Sequence, residues 1–375
     1  MKETSLKEIA QLFLKLGTVA FGGPAAHIAM MQDEVVDRRA WFSRQRFLDL
    51  VGATNLIPGP NSTELAIHIG YERAGWAGLL VAGSSFILPA MFIVTGFAWA
   101  YVEYGSTPAG EALLYGVQPV VIVIVAHALA RLAPTAARTW LLRGVVVAAI
   151  ALFLMGVNEL LILFGLGLLV MAVTGPLRLP FGSVYMLVPG PLVLLAQGPD
   201  SPVTLDRLFW VLLKIGAVLY GGGYVILAFL QGDFVERLGW LTQQQLIDAV
   251  SVGQVTPGPV FTTATFIGYV LKGVPGALVA TLAIFLPSFV FVAISHPYIE
   301  RMRSSQLFSG LLDGVNAAAV GLMAGVTIQL AREAIVDATT LIISATALLL
   351  LAGARINSAW LILAGGAIGL AIDLL

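Results

Sequence analysis

Residues suited to binding an anion follow two Pro-Gly-Pro runs in this chain. Pro58-Gly59-Pro60 precedes Asn61-Ser62-Thr63, and Pro257-Gly258-Pro259 is followed closely by Thr262-Thr263. Where a helix restarts after such a break, its unpaired backbone N–H groups and the positive end of its dipole face the break. Hydroxyl groups add further hydrogen-bond donors, so the end of such a helix is suited to an oxyanion.

A second pair of breaks is rich in glycine, at Phe21-Gly22-Gly23-Pro24 and Tyr220-Gly221-Gly222-Gly223. Non-helical backbone within a bilayer is tolerated only against protein or water, and matching interruptions in two related halves point to a transporter's binding site. The alternative is that Gly and Pro only kink helices for packing. The predicted substrate-binding residues are Gly22, Gly23, Pro24, Asn55, Pro58, Gly59, Pro60, Asn61, Ser62, Thr63, Gly221, Gly222, Gly223, Gln254, Pro257, Gly258, Pro259, Thr262 and Thr263.

Charged residues near the breaks are candidates for neutralising the anion or for coupling. Arg38 is the preferred cation, because it alone among the arginines of its loop has a partner in the second half, Arg237; anchoring the loop is the alternative role. Asp49 and Asp248 precede the two Pro-Gly-Pro breaks. They are interpreted as helix N-terminal charges that favour the dipole, in preference to proton carriers or gate contacts.

Three further ionisable residues lie close to the breaks. Glu64 stands in an apolar stretch, where an ionisable residue is a functional hypothesis by default, and its equivalents in the second half are threonines. His27 and His68 flank the first-half breaks and correspond to Ile226 and Ile267. We interpret both histidines as satisfied polar contacts in preference to a proton relay.

The composition predicts an integral membrane protein. Of 375 residues, 58% are hydrophobic and 11% charged, with a mean hydropathy of +0.92, whereas soluble domains carry about 25% charged residues. The net charge of −1 argues against a nucleic-acid partner. With no cysteine, and four histidines without ligand spacing, we expect no metal site and no cofactor. No nucleophile–base pair stands out, so an enzyme is not expected.

The chain contains an internal duplication. A shift of 199 (257 − 58) superimposes the two Pro-Gly-Pro runs, and after one gap a shift of 198 (267 − 69) superimposes Ile69-Gly70-Tyr71 on Ile267-Gly268-Tyr269. At the first shift Lys15, Arg38, Trp41 and Asp49 also meet identical residues in the second half. We predict an N-terminal transporter repeat at 1–176, a linker at 177–206 and a C-terminal repeat at 207–375.

The predicted fold is an all-α polytopic bundle with Gly/Pro-broken helices or re-entrant hairpins. Full helices are expected at 74–102, 110–133, 141–157, 158–175, 273–295, 307–331, 338–354 and 357–375, and broken segments at 10–31, 47–70, 209–231 and 246–270. Arginines crowd the loops at 32–46 and 131–143 but not their second-half equivalents, and the other loops reverse this bias. Because Lys and Arg mark the cytoplasmic side, this pattern predicts inverted repeats.

Inversion requires an odd number of crossings between equivalent points. Either 181–197 crosses the membrane and the broken segments enter and leave on one side, or only one broken segment per half spans it. We expect no cleavable signal peptide. Small residues such as Gly365, Gly366 and Gly369 pack helices within one chain or between two, which leaves a homodimer open.

The extended motifs resemble those of the chromate ion transporter family, in its long two-half form. The resemblance rests on 21–27, Trp41 and 55–64 in the first half, and on Tyr220-Gly221-Gly222-Gly223 and Pro257-Gly258-Pro259 in the second. It implies a multi-pass exporter of the plasma membrane (the cell inner membrane) that lowers cytoplasmic chromate as a secondary transporter, with sulfate as a competing or exchanged anion. Alternating access is the leading mechanism. A passive anion channel, a permease for sulfate or another oxyanion, and a membrane-embedded enzyme are the alternatives.

Overall fold

The computed structural model describes residues 4–21, 23–174, 202–220, 225–296, 306–353 and 356–374, and the regular elements within these ranges are all helices. The N-terminal half contains α1 (Leu6–Val19), α2 (Gly23–Gln32), α3 (Arg44–Thr54), α4 (Asn61–Tyr104), α5 (Pro108–Ala136), α6 (Trp140–Leu154) and α7 (Glu159–Thr174). The C-terminal half contains α8 (Leu205–Val218), α9 (Ile226–Leu230), α10 (Gln243–Val255), α11 (Thr263–Ser295), α12 (Gln306–Ala334), α13 (Ala338–Gly353) and α14 (Ser358–Asp373). The predicted all-α architecture of two homologous halves is confirmed.

The two halves repeat each other in unusual backbone features as well as in helix order. α4 contains a sharp bend at Gly75 with φ of 58°, and α11 contains the same bend at Gly273 with φ of 60°. A positive φ is accessible to glycine at little cost. Each half also has a π-helical turn after its second helix, at Asp33–Arg38 and at Gln231–Arg237.

The first of these turns corrects the prediction that 32–46 is a loop. The chain continues helically from α2 as far as Arg38. Glu34 within this turn lies 2.6 Å from Lys15 Nζ and 3.2 Å from Arg39 Nε. These ion pairs hold the segment against α1, which explains why a run rich in charge remains helical.

The first two helices of each half form a hairpin. Lys15 near the end of α1 contacts Glu34, while Arg39 reaches back to Glu8 near the start of α1, at 3.1 Å. The two arms are therefore antiparallel. α1 has 14 residues, which at 1.5 Å per residue spans roughly 21 Å, less than the ~30 Å of a hydrocarbon core. This arm is thus shorter than the hydrocarbon core is thick.

A second hairpin joins α3 to the first arm of α4. Asn61 Nδ2 donates to Asn55 Oδ1 at 2.8 Å beside the Pro-Gly-Pro tip, and Arg46 pairs with Glu72 at the other end. Beyond Gly75 the second arm of α4 folds back, so that Gly70 packs directly on the backbone of Gly78. Re-entrant hairpins, one of the two arrangements predicted for the broken segments, are therefore what the structure contains.

Equivalent helices of the two halves run in opposite directions. Arg138 after the end of α5 pairs with Asp313 near the start of α12, and Tyr115 near the start of α5 donates to Asp337 after α12, at 2.7 Å. The repeat relates these two contacts to within one residue, and together they make α5 and α12 antiparallel. The predicted inverted repeat is confirmed.

The outer helices of each half pack on the opposite half. α6 and α7 lie against α12, and their equivalents α13 and α14 lie against α5. Gly116 of α5 packs on the backbone of Gly365 and Gly369 in α14, so these small residues, predicted to join helices within one chain or between two, join them within one chain.

Four helices in the described ranges are long and apolar enough to cross a membrane, and four more are apolar but shorter. The long ones are Asn61–Tyr104, Pro108–Ala136, Val260–Ser295 and Ser309–Ala334. The shorter ones are Trp140–Leu154, Glu159–Thr174, Ala338–Gly353 and Ser358–Asp373. The second arms of α4 and α11, together with the other six helices, fall on the predicted full helices, whereas the first arms of α4 and α11 belong to the predicted broken segments. The possible extra crossing at 181–197 lies outside the described residues.

Candidate functional site

The tips of the hairpins meet across the pseudo-two-fold axis. The backbone N–H of Gly59 donates to the carbonyl of Leu219 at 2.8 Å, and that of Gly258 donates to the carbonyl of Ala20 at 2.9 Å. Each bond joins the Pro-Gly-Pro tip of one half to the glycine-rich tip of the other. Each Pro-Gly-Pro break is thereby brought against the residue that ends the first helix of the other half.

Both tip glycines have backbone conformations and surroundings that suit no other residue. Their φ angles are 141° at Gly59 and 91° at Gly258. A methyl group at Gly59 would lie 2.7 Å from Ser288 Oγ and still closer to the Glu64 carboxyl group, and one at Gly258 would lie 2.9 Å from Ala90 Cβ. The close approach of the tips therefore depends on glycine.

Buried polar atoms surround the tips without satisfying each other. Thr63 Oγ1, Ser288 Oγ and Gln254 Nε2 are buried and have no hydrogen-bond partner among the described residues. The N-terminus of α4 follows Pro60 and is not capped by that residue's side chain. Since buried polar groups in native proteins are normally paired, these donors are available to a ligand.

The threonines of the second half are placed differently from those of the first. Thr262 Oγ1 donates to the carbonyl of Pro259, and Thr263 Oγ1 to that of Val260, each at 2.8 Å. A short 3-10 turn, Val260–Thr262, precedes α11 and brings these groups together. The two Pro-Gly-Pro tips thus differ both in side-chain chemistry and in the backbone that follows them, since α4 begins directly after Pro60.

The other predicted binding residues are placed as follows. Asn55 ends the α3 arm and bonds Asn61, while Gly23 (φ of 75°) and Pro24 begin α2. Ser62 is buried in the first turn of α4. Gly22, Gly221, Gly222 and Gly223 lie outside the described residues.

Arg38 and Arg237 both lie in ion pairs on the hairpins. Arg38 Nε contacts Asp33 at 2.8 Å, and Arg237 contacts Asp233 at 2.8 Å. Arg38 is also largely exposed, with 62% of its side-chain surface accessible. Each guanidinium group therefore has a carboxylate partner in this structure, and a role in neutralising the anion stays a prediction.

Sequence reasoning missed the acidic partners of the repeated lysines. Lys214 contacts Asp233 at 2.5 Å, the equivalent of the contact between Lys15 and Glu34 at 2.6 Å. The lysines matched in the repeat, but the acids differ in type and so gave no identity signal. Both lysines stand on the helices that lead to the glycine-rich tips, closer along the chain to those tips than Arg38 or Arg237.

The interpretation of Asp49 and Asp248 as charges at a helix N-terminus is wrong. α3 and α10 begin five residues earlier, capped by Ser43 and Thr242, and carry no acidic residue in their first turns. Asp49 accepts a bond from Gln45 at 3.2 Å.

Asp248 instead bonds groups of the opposite half. It accepts hydrogen bonds from Tyr101 Oη at 2.9 Å and Gln118 Nε2 at 2.8 Å. It lines a cavity of about 670 Å³ together with both residues and Glu111. This cavity is lined by residues other than those of the hairpin tips.

The two histidines lie in different surroundings. His27 Nε2 is 3.0 Å from the carbonyl oxygen of Ala20, the same oxygen that accepts from Gly258, whereas its Nδ1 is buried without a partner among the described residues. His27 is therefore a polar contact at the tip that is satisfied at one ring nitrogen only. His68 lies 2.9 Å from His296, between the two Nδ1 atoms. His296 was not among the predicted site residues, because 228 positions separate the two histidines in sequence.

The fold and this arrangement of hairpin tips define an integral membrane transport protein built from inverted repeats, in which broken helices meet at the repeat interface. The family model described as "Chromate transporter" matches the chain twice, over residues 7–172 and 207–370. The chain therefore belongs to the chromate transporter family, which is a family of transporters and not of enzymes.

Named relatives agree with this assignment. The chain is 34% identical to a "Probable chromate transport protein" of Synechococcus elongatus, covering 92% of this chain and 89% of the relative. It is 33% identical to a "Chromate transport protein" of Cupriavidus metallidurans, over 97% and 92% respectively, and 32% identical to one of Pseudomonas aeruginosa, over 88% and 82%. No solved structure matches the chain.

Proposed function

We propose that this protein exports chromate from the cytoplasm as a secondary active transporter, working by alternating access in the plasma membrane. Residues 1–176 and 207–375 would form the two transporter repeats, joined by the linker at 177–206. The chromate dianion binds where the hairpin tips meet. The alternatives are a passive chromate channel and a permease for sulfate or another tetrahedral oxyanion.

The observation that carries this proposal is the pair of swapped hydrogen bonds at the tips. They place the helix start after Pro60 beside the tip formed by Leu219, and the restart after Pro259 beside Ala20. The unsatisfied hydroxyl of Ser288 lies beside Gly59, and the unsatisfied donors of Thr63 and Gln254 stand three residues along the chain from the two Pro-Gly-Pro runs. Hydrogen-bond donors at a helix N-terminus are the chemistry that a tetrahedral oxyanion requires.

The charges of the anion need compensation beyond a helix dipole. Lys15 and Lys214 are the cations nearest along the chain to the glycine-rich tips, and both are held by carboxylates of the same hairpins. Chromate that arrives at the tips competes with the carboxylates of Glu34 and Asp233 for these ammonium groups. The dianion is thereby drawn to the tips of both halves at once.

Alternating access follows from the inverted repeat. The hairpins of the two halves are joined tip to tip, and the second arms of α4 and α11 pack on each other, with Gly83 against Phe289. The two halves make equivalent contacts with each other. Tilting one half against the other can therefore convert an arrangement open to one side of the membrane into an equivalent arrangement open to the other side, around a fixed central site. The tips remain central in both.

The proposal is tested by chromate uptake into inside-out membrane vesicles, with an imposed gradient and with or without sulfate in the lumen. Accumulation of chromate above its external concentration is expected, and competition by external sulfate would show that the site accepts both dianions. Uptake that only equilibrates would identify a channel. Sulfate movement without chromate movement would identify a permease of different specificity.

A further inference from the structure

A line of protonatable side chains runs along one hairpin of the N-terminal half. Glu64, His68 and Glu72 succeed each other at intervals of four residues on the first arm of α4, so they share one face of the helix, one turn apart. His296, at the end of α11, completes the line, because its Nδ1 lies 2.9 Å from His68 Nδ1 and its Nε2 lies 3.6 Å from Glu72 Oε1. The line extends from the hairpin tip to the outer end of the hairpin.

The inner end of this line lies at the tip itself. Glu64 is fully buried, and neither of its carboxyl oxygens has a partner among the residues that the structure describes. The groups that face it are Tyr220 from the other half and, beside Gly59, the hydroxyl of Ser288. Burial without a partner makes the ionised form of a carboxyl group costly, which is the property that a proton carrier requires.

The outer end of this line of side chains is held in place by an ion pair. Glu72 pairs with Arg46, and Arg46 and Glu72 are the charged groups that face His296, while the ring of Tyr71 lies 4.6 Å from that histidine. His68 is faced by His296 and, from further away, by Arg46. Its Nε2 is buried and lacks a partner in the described part of the chain, on the side away from its bond to His296.

Resting on the chromate transport proposed above, we propose that Glu64, His68, His296 and Glu72 form a proton path between the cytoplasmic face and the hairpin tips, so that each chromate leaves with a proton. A proton passes from Glu72 to Nε2 of His296, while the Nδ1 proton of His296 moves to Nδ1 of His68. Glu72 takes up the proton that it passes on from cytoplasmic water. Nε2 of His68 and the Glu64 oxygens are not bonded to each other in this structure, so the Nε2 proton of His68 crosses the intervening helical turn by side-chain rotation before it reaches the Glu64 carboxylate, which becomes neutral. Each histidine gains one proton and gives up one, and rotation of the rings restores the starting tautomers.

Electrostatics gives the direction of coupling. An ionised Glu64 repels a dianion at the tip and a neutral one admits it, so proton and anion bind together and move the same way. One proton and one dianion transfer a net charge of −1, and an inside-negative membrane potential therefore still favours export. The arginines Arg38, Arg39, Arg44 and Arg46 stand on the outer ends of these hairpins, which places the entrance on the cytoplasmic side.

The second half has no such line. Thr262 or Thr263 stands in place of Glu64, and Phe266 or Ile267 in place of His68, according to which side of the gap is used. A proton path that serves only one face of the membrane needs only one copy. The line of protonatable side chains therefore occurs in one half only, whereas the hydrogen bonds between the hairpin tips occur in both halves.

The test uses purified full-length protein in liposomes that contain a pH-sensitive dye, with the membrane potential clamped. Chromate is added outside at alkaline pH, and sulfate serves as a second probe because it brings no proton of its own. In the wild type, luminal acidification is expected to accompany anion uptake. His296→Gln is expected to slow acidification about 100-fold while exchange of labelled chromate across the membrane, which needs no net proton movement, continues. Glu64→Gln is expected to make the remaining exchange independent of pH.

His127→Gln is the matched control, since His127 stands on α5 outside this line. It is expected to acidify the lumen at the wild-type rate. The proton path is overturned by luminal alkalinisation, by unchanged acidification in His296→Gln, or by loss of exchange in that variant. Anion uptake by the wild type without any pH change overturns the path and leaves the transport proposal standing. Absence of both chromate and sulfate uptake overturns the transport proposal itself.

Discussion

The backbone N–H of Gly59 donates to the carbonyl of Leu219 at 2.8 Å, and the repeat reproduces this bond between Gly258 and Ala20 at 2.9 Å. Each glycine belongs to one half of the chain and each carbonyl to the other. The two bonds tie four interrupted helices into one centre and make that centre nearly symmetric. The candidate site is therefore a property of the duplicated chain and cannot be formed by either half in this arrangement.

Substituting the tip glycines is expected to separate the tips. Gly59→Ala and Gly258→Ala introduce a Cβ where the φ angles are 141° and 91° and where neighbouring atoms leave no space. We expect each to reduce the free energy of unfolding by about 1–3 kcal/mol and to impair transport, as measured by thermal unfolding in detergent and by vesicle uptake.

Gly144→Ala is the control for these substitutions. A methyl group at Gly144 would meet nothing within 4 Å, and the position lies inside α6, so alanine is expected to stabilise the helix by up to about 1 kcal/mol. A tip variant as stable and active as this control would contradict the proposed close packing of the tips.

The two related threonines are expected to differ in their contribution to binding. Thr63 Oγ1 lacks a partner among the described residues, whereas Thr262 Oγ1 already donates to Pro259. Because a hydrogen bond to a charged group contributes about 1.5–3 kcal/mol, Thr63→Val should raise the dissociation constant for chromate about 10-fold or more. Thr262→Val, the matched variant, should raise it less. Equal affinities in wild type and Thr63→Val would remove Thr63 from the site.

The two repeated ion pairs are expected to differ in their effect on stability. Lys214 is only 10% exposed beside Asp233, whereas Lys15 is 53% exposed beside Glu34. Asp233→Asn leaves a buried ammonium group without its nearest carboxylate and should cost about 3–5 kcal/mol. Glu34→Gln leaves Lys15 and Arg39, which are 53% and 30% exposed and can be solvated by water, so its cost should be distinctly smaller. Thermal unfolding of both variants checks the order, and the reverse order would contradict it.

The inverted topology predicts opposite accessibility for equivalent positions. The chain has no cysteine, so single cysteines can be labelled without background. Gln45 and Gln244 are both exposed and are related by the shift of 199 (244 − 45). An impermeant thiol reagent applied to intact cells should label only one of Gln45→Cys and Gln244→Cys, and inside-out vesicles should label only the other. Labelling of both from the same side would contradict the inversion.

The sequence predicted the breaks and the repeat because both leave local signals. Gly and Pro interrupt apolar runs at the places where the hairpins turn, and the identities at the two shifts include rare residue types such as Trp41 and Trp240. The bias of arginine between loops predicted the inversion, which the antiparallel pairing of α5 with α12 confirms.

The partners of these elements could not be predicted, because they depend on tertiary packing. The residues around Gly59 in the sequence do not indicate that Gly59 bonds Leu219 of the other half, since a bond to the glycine-rich tip of its own half is equally compatible with them. The helix caps at Ser43 and Thr242 were overlooked, and Asp49 and Asp248 were therefore assigned to the wrong part of their helices.

The central claim, that chromate binds at the hairpin tips, is tested most directly by locating bound chromate through the anomalous scattering of chromium in crystals of the protein. The account predicts a chromium peak beside Gly59 and the first turn of α4, within hydrogen-bonding distance of the Thr63 or Ser288 hydroxyl, and its loss when sulfate replaces chromate. A peak in the cavity beside Asp248, with none at the tips, would contradict it.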